Sequence, residues 1–294
     1  MPSFHRLLLA AALALAGAAP AWAVPVTYVT GASAQTDAGF DVSFAQQQSA
    51  TASSISVPNA NTAEYANSSA SLANGSLHVA SSNQANGSQQ GQISMATAFV
   101  GDSFTHTAGP DPFTWSSSTQ ATFNIAVDGN TSLAADANTT VYNFSYIALI
   151  IYKPGTLTSD VAFCDATVTH AYFWSIGAQS QATDPCGNAL MGSLTGSIDE
   201  TLSVSFAPGG DFDFAFGMRV GGAMNSSNGD PFSASWFNDF SHTATLSYVA
   251  PDGASVHSGS GVFPGTTAAS VPEPSSLALA GLALLGGFRL RRRR

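Results

Sequence analysis

The sequence predicts an all-β, antiparallel domain of the β-sandwich type, with a jelly-roll arrangement as one form open to it. Three observations carry that expectation. Apolar and polar residues alternate with a period of two in run after run, and Gly, Pro, Asn and Asp cluster between the runs. No stretch between the two termini combines helical period with helical length.

The runs follow in order. Residues 122–127 set Phe123, Ile125 and Val127 against Thr122, Asn124 and Ala126. Residues 141–152 begin with alternation and become continuously apolar from Ile147 to Ile151, which predicts a central strand buried on both faces and ended by Lys153-Pro154-Gly155. Residues 168–176 form an aromatic strand with Tyr172, Phe173 and Trp174. In residues 201–206 the inward set is Leu202, Val204 and Phe206. Residues 211–216 place Phe212, Phe214 and Phe216 on one face, with Asp211 and Asp213 opposite. Residues 240–248 turn Phe240, Ala244, Leu246 and Tyr248 inward. Turns are expected at Asp128-Gly129-Asn130, Pro208-Gly209-Gly210, Asn228-Gly229-Asp230 and Pro251-Asp252-Gly253.

Residues 46–92 differ, being rich in Ser, Ala, Asn and Gln. Weak strand signals lie at residues 76–80 and 92–100, and Asn74-Gly75 resembles a hairpin turn. A low-complexity, weakly ordered segment and a folded one both remain open as readings.

Each end carries a targeting pattern. His5 and Arg6 precede a Leu/Ala run over residues 7–19, then Pro20 and the small-x-small triplet Ala21-Trp22-Ala23. This predicts a helical secretory signal over residues 1–23, cut by signal peptidase after Ala23; the run is shorter than the ~20 residues that span a bilayer. The domain then occupies residues 24–270. At the other end, Val271-Pro272-Glu273-Pro274 leads into an apolar run over residues 277–288, followed by Arg289, Arg291, Arg292, Arg293 and Arg294. Gly281, Gly286 and Gly287 weaken that run as a helix, and the arginines would hold its end in the cytoplasm.

The three-part pattern over residues 271–294 resembles the PEP-CTERM sorting signal of Gram-negative bacteria. The resemblance implies a hydrophobic sorting helix and recognition by an exosortase, a membrane cysteine peptidase that removes the tail. Membrane contact would then be confined to that helix before processing. Residues 240–246, followed by Gly253 and Ser258-Gly259-Ser260-Gly261, also look like a terminal strand pair that recurs in such proteins. That likeness implies a non-enzymatic protein of the cell surface or matrix; separately, no cofactor is expected.

Outside the two signals the only cations are Lys153 and Arg219, against 17 carboxylates, a net charge near −15. Such a surface repels polyphosphate backbones, so nucleic acid is excluded as a partner. Cys164 and Cys186 are the only cysteines, and in an exported chain they predict one disulfide closing a loop of about 22 residues.

Signals for chemistry are sparse. The histidines show no zinc spacing, and no nucleophile elbow or phosphate loop occurs. Asp211 and Asp213 share a strand face and form a weak calcium candidate, with a solvated outer face as the favoured reading. Trp115 and Trp236 lie near prolines and are candidates for stacking on sugar rings, although core packing is the commoner fate of tryptophan. The expectation is a non-enzymatic exported protein of the cell surface or exopolysaccharide matrix. A carbohydrate-binding, lectin-like β-sandwich comes second and a polysaccharide-active hydrolase third.

Overall fold

Alternating sequences bury one face only when a second layer covers it, and here two sheets supply the layers. The computed structural model describes residues 28–38, 41–49, 55–60, 64–87, 92–108, 114–116, 118–158, 164–177, 186–187, 189–226 and 232–263. In chain order the strands are β1 (Tyr28–Ala38), β2 (Asp41–Ser49), β3 (Ile55–Ala60), β4 (Glu64–Ser71), β5 (Ser76–Gly87), β6 (Gln92–Ala108), β7 (Ala121–Ala135) and β8 (Thr139–Asn143). They continue as β9 (Tyr146–Tyr152), β10 (Val168–Ile176), β11 (Gly192–Leu194), β12 (Ser197–Phe206), β13 (Phe212–Ser226), β14 (Phe232–Val249) and β15 (Ala254–Ser258). A nine-stranded sheet runs β11-β10-β9-β13-β6-β1-β2, with β15 beside β6 and β8 beside β13; a six-stranded sheet runs β12-β7-β14-β5-β4-β3. The described residues contain no helix, and the expected signal and sorting helices lie outside them.

Pairing is antiparallel throughout the described residues except between β10 and β11, which run parallel. That departs from the all-antiparallel expectation. The chain between those strands, residues 177–191, is long enough for the crossover that a parallel pair requires.

The layer between the sheets changes character along its length. At one end it is aromatic: the Phe104 and Phe123 rings, from opposite sheets, lie 6.1 Å apart. Tyr248 lies 4.7 Å from Phe104, and Phe214 lies 5.0 Å from Phe123. At the other end the facing residues are Ala32 and Ala34 on β1 and Ala66 and Ala70 on β4, all buried. Here the Ser68 hydroxyl donates to the Ser33 carbonyl at 2.9 Å and the Ser94 hydroxyl to the Tyr65 carbonyl at 2.8 Å, each bond crossing from one sheet to the other. Small side chains let backbones approach more closely than the ~10 Å usual between sheets.

The expected inward residues of residues 122–127 and 240–248 are buried, as are Val204, Phe206, Phe212, Phe214 and Phe216. Ile147 to Ile151 are fully buried in β9, flanked by β10 and β13, as a two-sided strand requires. Three local expectations are corrected. Residues 141–152 are not one strand but β8 and β9, parted at Phe144 and Ser145, because the Ser145 hydroxyl accepts from the Gly221 N–H at 2.8 Å and donates to its carbonyl at 3.1 Å. Asp128-Gly129-Asn130 is not a turn but lies within β7; a Cβ on Gly129 would run into the Phe240 ring and sit 2.8 Å from the Asp239 carbonyl. The terminal strands β14 and β15 do not pair with each other. Pro251-Asp252-Gly253 turns the chain from the six-stranded sheet to the nine-stranded one, where β15 pairs β6.

Asn74-Gly75 does form the hairpin between β4 and β5, with the Gly75 N–H donating to the Leu72 carbonyl at 3.1 Å and φ of +59°. Strands β3, β4 and β5 lie within residues 46–92. Asn228-Gly229-Asp230 falls outside the described residues.

Candidate functional site

A second apolar layer covers the outside of the nine-stranded sheet. Val29, Ala148, Ile150, Tyr152, Phe173 and Ala215 face outward there and are buried with Leu157, from the loop after β9. Asp213, read in sequence as part of a solvated face, is buried at 1 % exposure. Its Oδ2 accepts from the Thr156 and Leu157 N–H groups, both at 2.8 Å, so it pins this loop to β13. Cys164 and Cys186 are joined as expected, with Cα atoms 5.5 Å apart and no free cysteine among the described residues.

Asp211 is exposed and plays no part in holding that loop. Its Oδ1 accepts from the His106 N–H at 2.8 Å and lies 3.5 Å from His106 Nδ1. No third ligand joins the pair: the described residues hold no cluster of three or more His, Cys, Asp or Glu able to bind a metal. His106 Nε2 lies 2.8 Å from the Tyr248 hydroxyl. Burial lowers the His106 pKa, with the Asp211 carboxylate opposing, and burial raises that of Tyr248. Imidazole and phenol thus share a hydrogen bond with the carboxylate nearby, but the His106 side chain is fully enclosed and Tyr248 lies in the core. The geometry provides an enclosed His106–Tyr248 contact, with only the Asp211 carboxylate reaching the surface.

The two tryptophan candidates part company. Trp115 is half-buried and meets the His106 ring edge-on at 4.8 Å. Trp236 is 5 % exposed and packs with Met224, Phe232 and Ala234, so its ring is not placed to stack on a sugar.

Sequence reasoning missed Asp102. It is fully buried on β6, where Oδ1 accepts from the Ser103 N–H at 2.8 Å and the Ser260 N–H at 3.0 Å, and Oδ2 accepts from the Ser260 hydroxyl at 2.5 Å. Burial outweighs these bonds and raises its pKa to about 6. The motif Ser258-Gly259-Ser260-Gly261 thereby clamps the chain end of β15 onto a buried carboxylate, just before Phe263 enters the aromatic core. A carboxylate among Gly101, Ser103 and Phe104 carries no spacing that would announce this.

The outer face of the six-stranded sheet was also missed. On it Phe237 of β14, Ser82 of β5 and Tyr65 of β4 stand in one cross-strand row. Phe237 is 37 % exposed, Tyr65 and Ser82 are half-buried, and burial with the nearby Asp239 carboxylate raises the Tyr65 pKa. One row along, Gln84, Ser235 and Ala134 line an open hollow of about 290 Å³ on the same face. Phe237 carried a signal, since its place in the period of β14 is opposite to that of Trp236.

The signal-cleavage residues Ala21 and Ala23, the sorting residues Val271 to Pro274 and the arginines Arg289 and Arg291 to Arg294 lie outside the described residues. Comparison with known families finds the PEP-CTERM protein-sorting motif at residues 270–294. No curated protein and no solved structure matches the chain.

Proposed function

For a chain that carries a PEP-CTERM protein-sorting motif, and is thereby marked for export and exosortase sorting to the bacterial cell surface, we propose a non-enzymatic role in the envelope or exopolysaccharide matrix of a Gram-negative host. Signal peptidase cuts after Ala23, and exosortase reads Val271-Pro272-Glu273-Pro274 while the following helix holds the precursor in the membrane. The motif at residues 270–294 is the observation that carries this reading. The two-sheet body supports it: read as a β-sandwich, it is a disulfide-bonded, acidic domain suited to an oxidising exterior.

Fractionation of the native host with intact-mass analysis tests the reading. The extracellular protein should begin at Val24 and lack Arg291 to Arg294. Glu273→Ala should leave uncut precursor in the membrane fraction, because the one charge in the triplet is lost. Wild-type release of that variant, or extracellular protein retaining the arginines, would overturn the processing scheme. The second reading, a carbohydrate-binding role, is favoured by the aromatic row on the six-stranded sheet.

A further inference from the structure

From the outer face of the six-stranded sheet we infer that Phe237 and Tyr65 form a platform for an extended, neutral polysaccharide. The inference rests on the surface-or-matrix reading above and names its ligand class. Phe237 and Tyr65 sit on β14 and β4 with only β5 between them, so their backbones lie about 10 Å apart, two inter-strand spacings. That separation matches the disaccharide repeat of an extended β-linked glycan, in which alternate rings present the same face.

Between the aromatics stands Ser82, small enough for a sugar to lie flat across β5. Aromatic rings suit the C–H-rich faces of sugars, whereas hydroxyls and amides suit their edges. Ser132 pairs with Phe237 on the β7 side, and Gln84 and Ser235 border the adjoining hollow. A chain leaving the Phe237 ring reaches that hollow over Ser235 and Ala134, both small, which pair with each other and line it.

Charge selects among glycans. Lys153 follows β9 and Arg219 lies on β13, so both cations outside the signals belong to the nine-stranded sheet. The platform itself carries Asp239. An acidic polysaccharide would meet carboxylates, Asp239 on the platform and Asp136 at the hollow, and no counter-charge; a neutral one meets them only as hydrogen-bond acceptors beside the rings.

The test uses exported protein recovered from the host, with affinity electrophoresis in gels containing soluble mixed-linkage β-glucan, galactomannan or alginate. Wild-type protein should be retarded by a neutral glycan and not by alginate. Phe237→Ala and Tyr65→Ala should each weaken retention about tenfold, and Phe237→Trp should restore it. Ser82→Gln, which leaves both rings in place but crowds the gap, should weaken it as well, so the inference does not hang on aromatic truncations that alter folding. Free migration of the wild type in both neutral glycans, retention by alginate alone, or unaltered retention of Ser82→Gln and a folded Tyr65→Ala/Phe237→Ala double variant would overturn it. So would a double variant that changed only the sedimentation coefficient, which would assign the face to a second copy of the chain. Protein that reaches the matrix but ignores glycans sinks this inference alone; protein retained inside the cell sinks the localisation reading beneath it.

Discussion

Replacing Asp102 by asparagine separates the charge of this side chain from its shape. Its pKa stands at about 6 in the folded protein, against 3.8 for an ordinary aspartate, and burial is the main cause. Between those values the folded state holds a proton that the unfolded chain has released. The group's favourable contribution is complete below pH 3.8 and is lost as the pH rises through about 6. A shift of roughly two pH units corresponds to about 3 kcal/mol, the cost of keeping the ionised carboxylate buried at neutral pH. Asp102→Asn retains Oδ1 as acceptor for the Ser103 and Ser260 N–H groups, and its new amide can donate to the Ser260 hydroxyl, which is free to rotate. His106 titrates with the opposite sign: burial lowers its pKa, so its contribution is lost as the pH falls, but it is common to both proteins. Urea unfolding of wild type and variant from about pH 4 to about pH 7.5 isolates the Asp102 difference. The two should converge at the acid end, and the variant should be more stable by about 2–3 kcal/mol at the neutral end. Parallel stability curves across that range would refute the reasoning.

Two further outcomes concern the fold. Reducing the Cys164–Cys186 bond should lower stability by about 3 kcal/mol on loop-entropy grounds, read from urea midpoints with and without reductant. Non-reducing peptide mapping should find the two cysteine peptides joined. Gly129→Ala should cost about 1–3 kcal/mol by forcing the Phe240 ring and the Asp239 carbonyl away from β7, seen as a lowered urea midpoint with unchanged m. A neutral Gly129→Ala would mean that β14 yields there more easily than its packing suggests.

The strands that were legible in sequence are those whose inward residues are large. Phe123, Ile125 and Val127, or Phe212, Phe214 and Phe216, contrast so sharply with their neighbours that period two is unmistakable. Around Ala66, Ser68 and Ala70 the inward and outward residues are both small, so alternation leaves no trace although the inward set is fully buried. Glycine misled at Gly129 because a close approach and a turn use the same residue for different reasons. The break between β8 and β9 is set from β13, where Gly221 adopts φ +126° and binds Ser145, a partner 76 residues away. The sorting tail was readable because its signal is linear and needs no partner. By contrast, the burial of Asp213 and Trp236 and the row joining Tyr65 to Phe237 depend on which strands become neighbours.

The seating of Phe263 against Phe104 and Phe214 fixes how far the sorting motif can stray from the folded body. Seven residues separate Phe263 from Val271, so even at full stretch the leash between them spans at most about 30 Å. That is roughly the hydrocarbon thickness of one bilayer. In the processing scheme proposed above, a membrane peptidase reading Val271 to Pro274 would work in the shadow of the domain. A precursor held there by its tail would stand close against the lipid surface, and the shape and charge of the side it turned toward the membrane would become part of what the enzyme must accommodate.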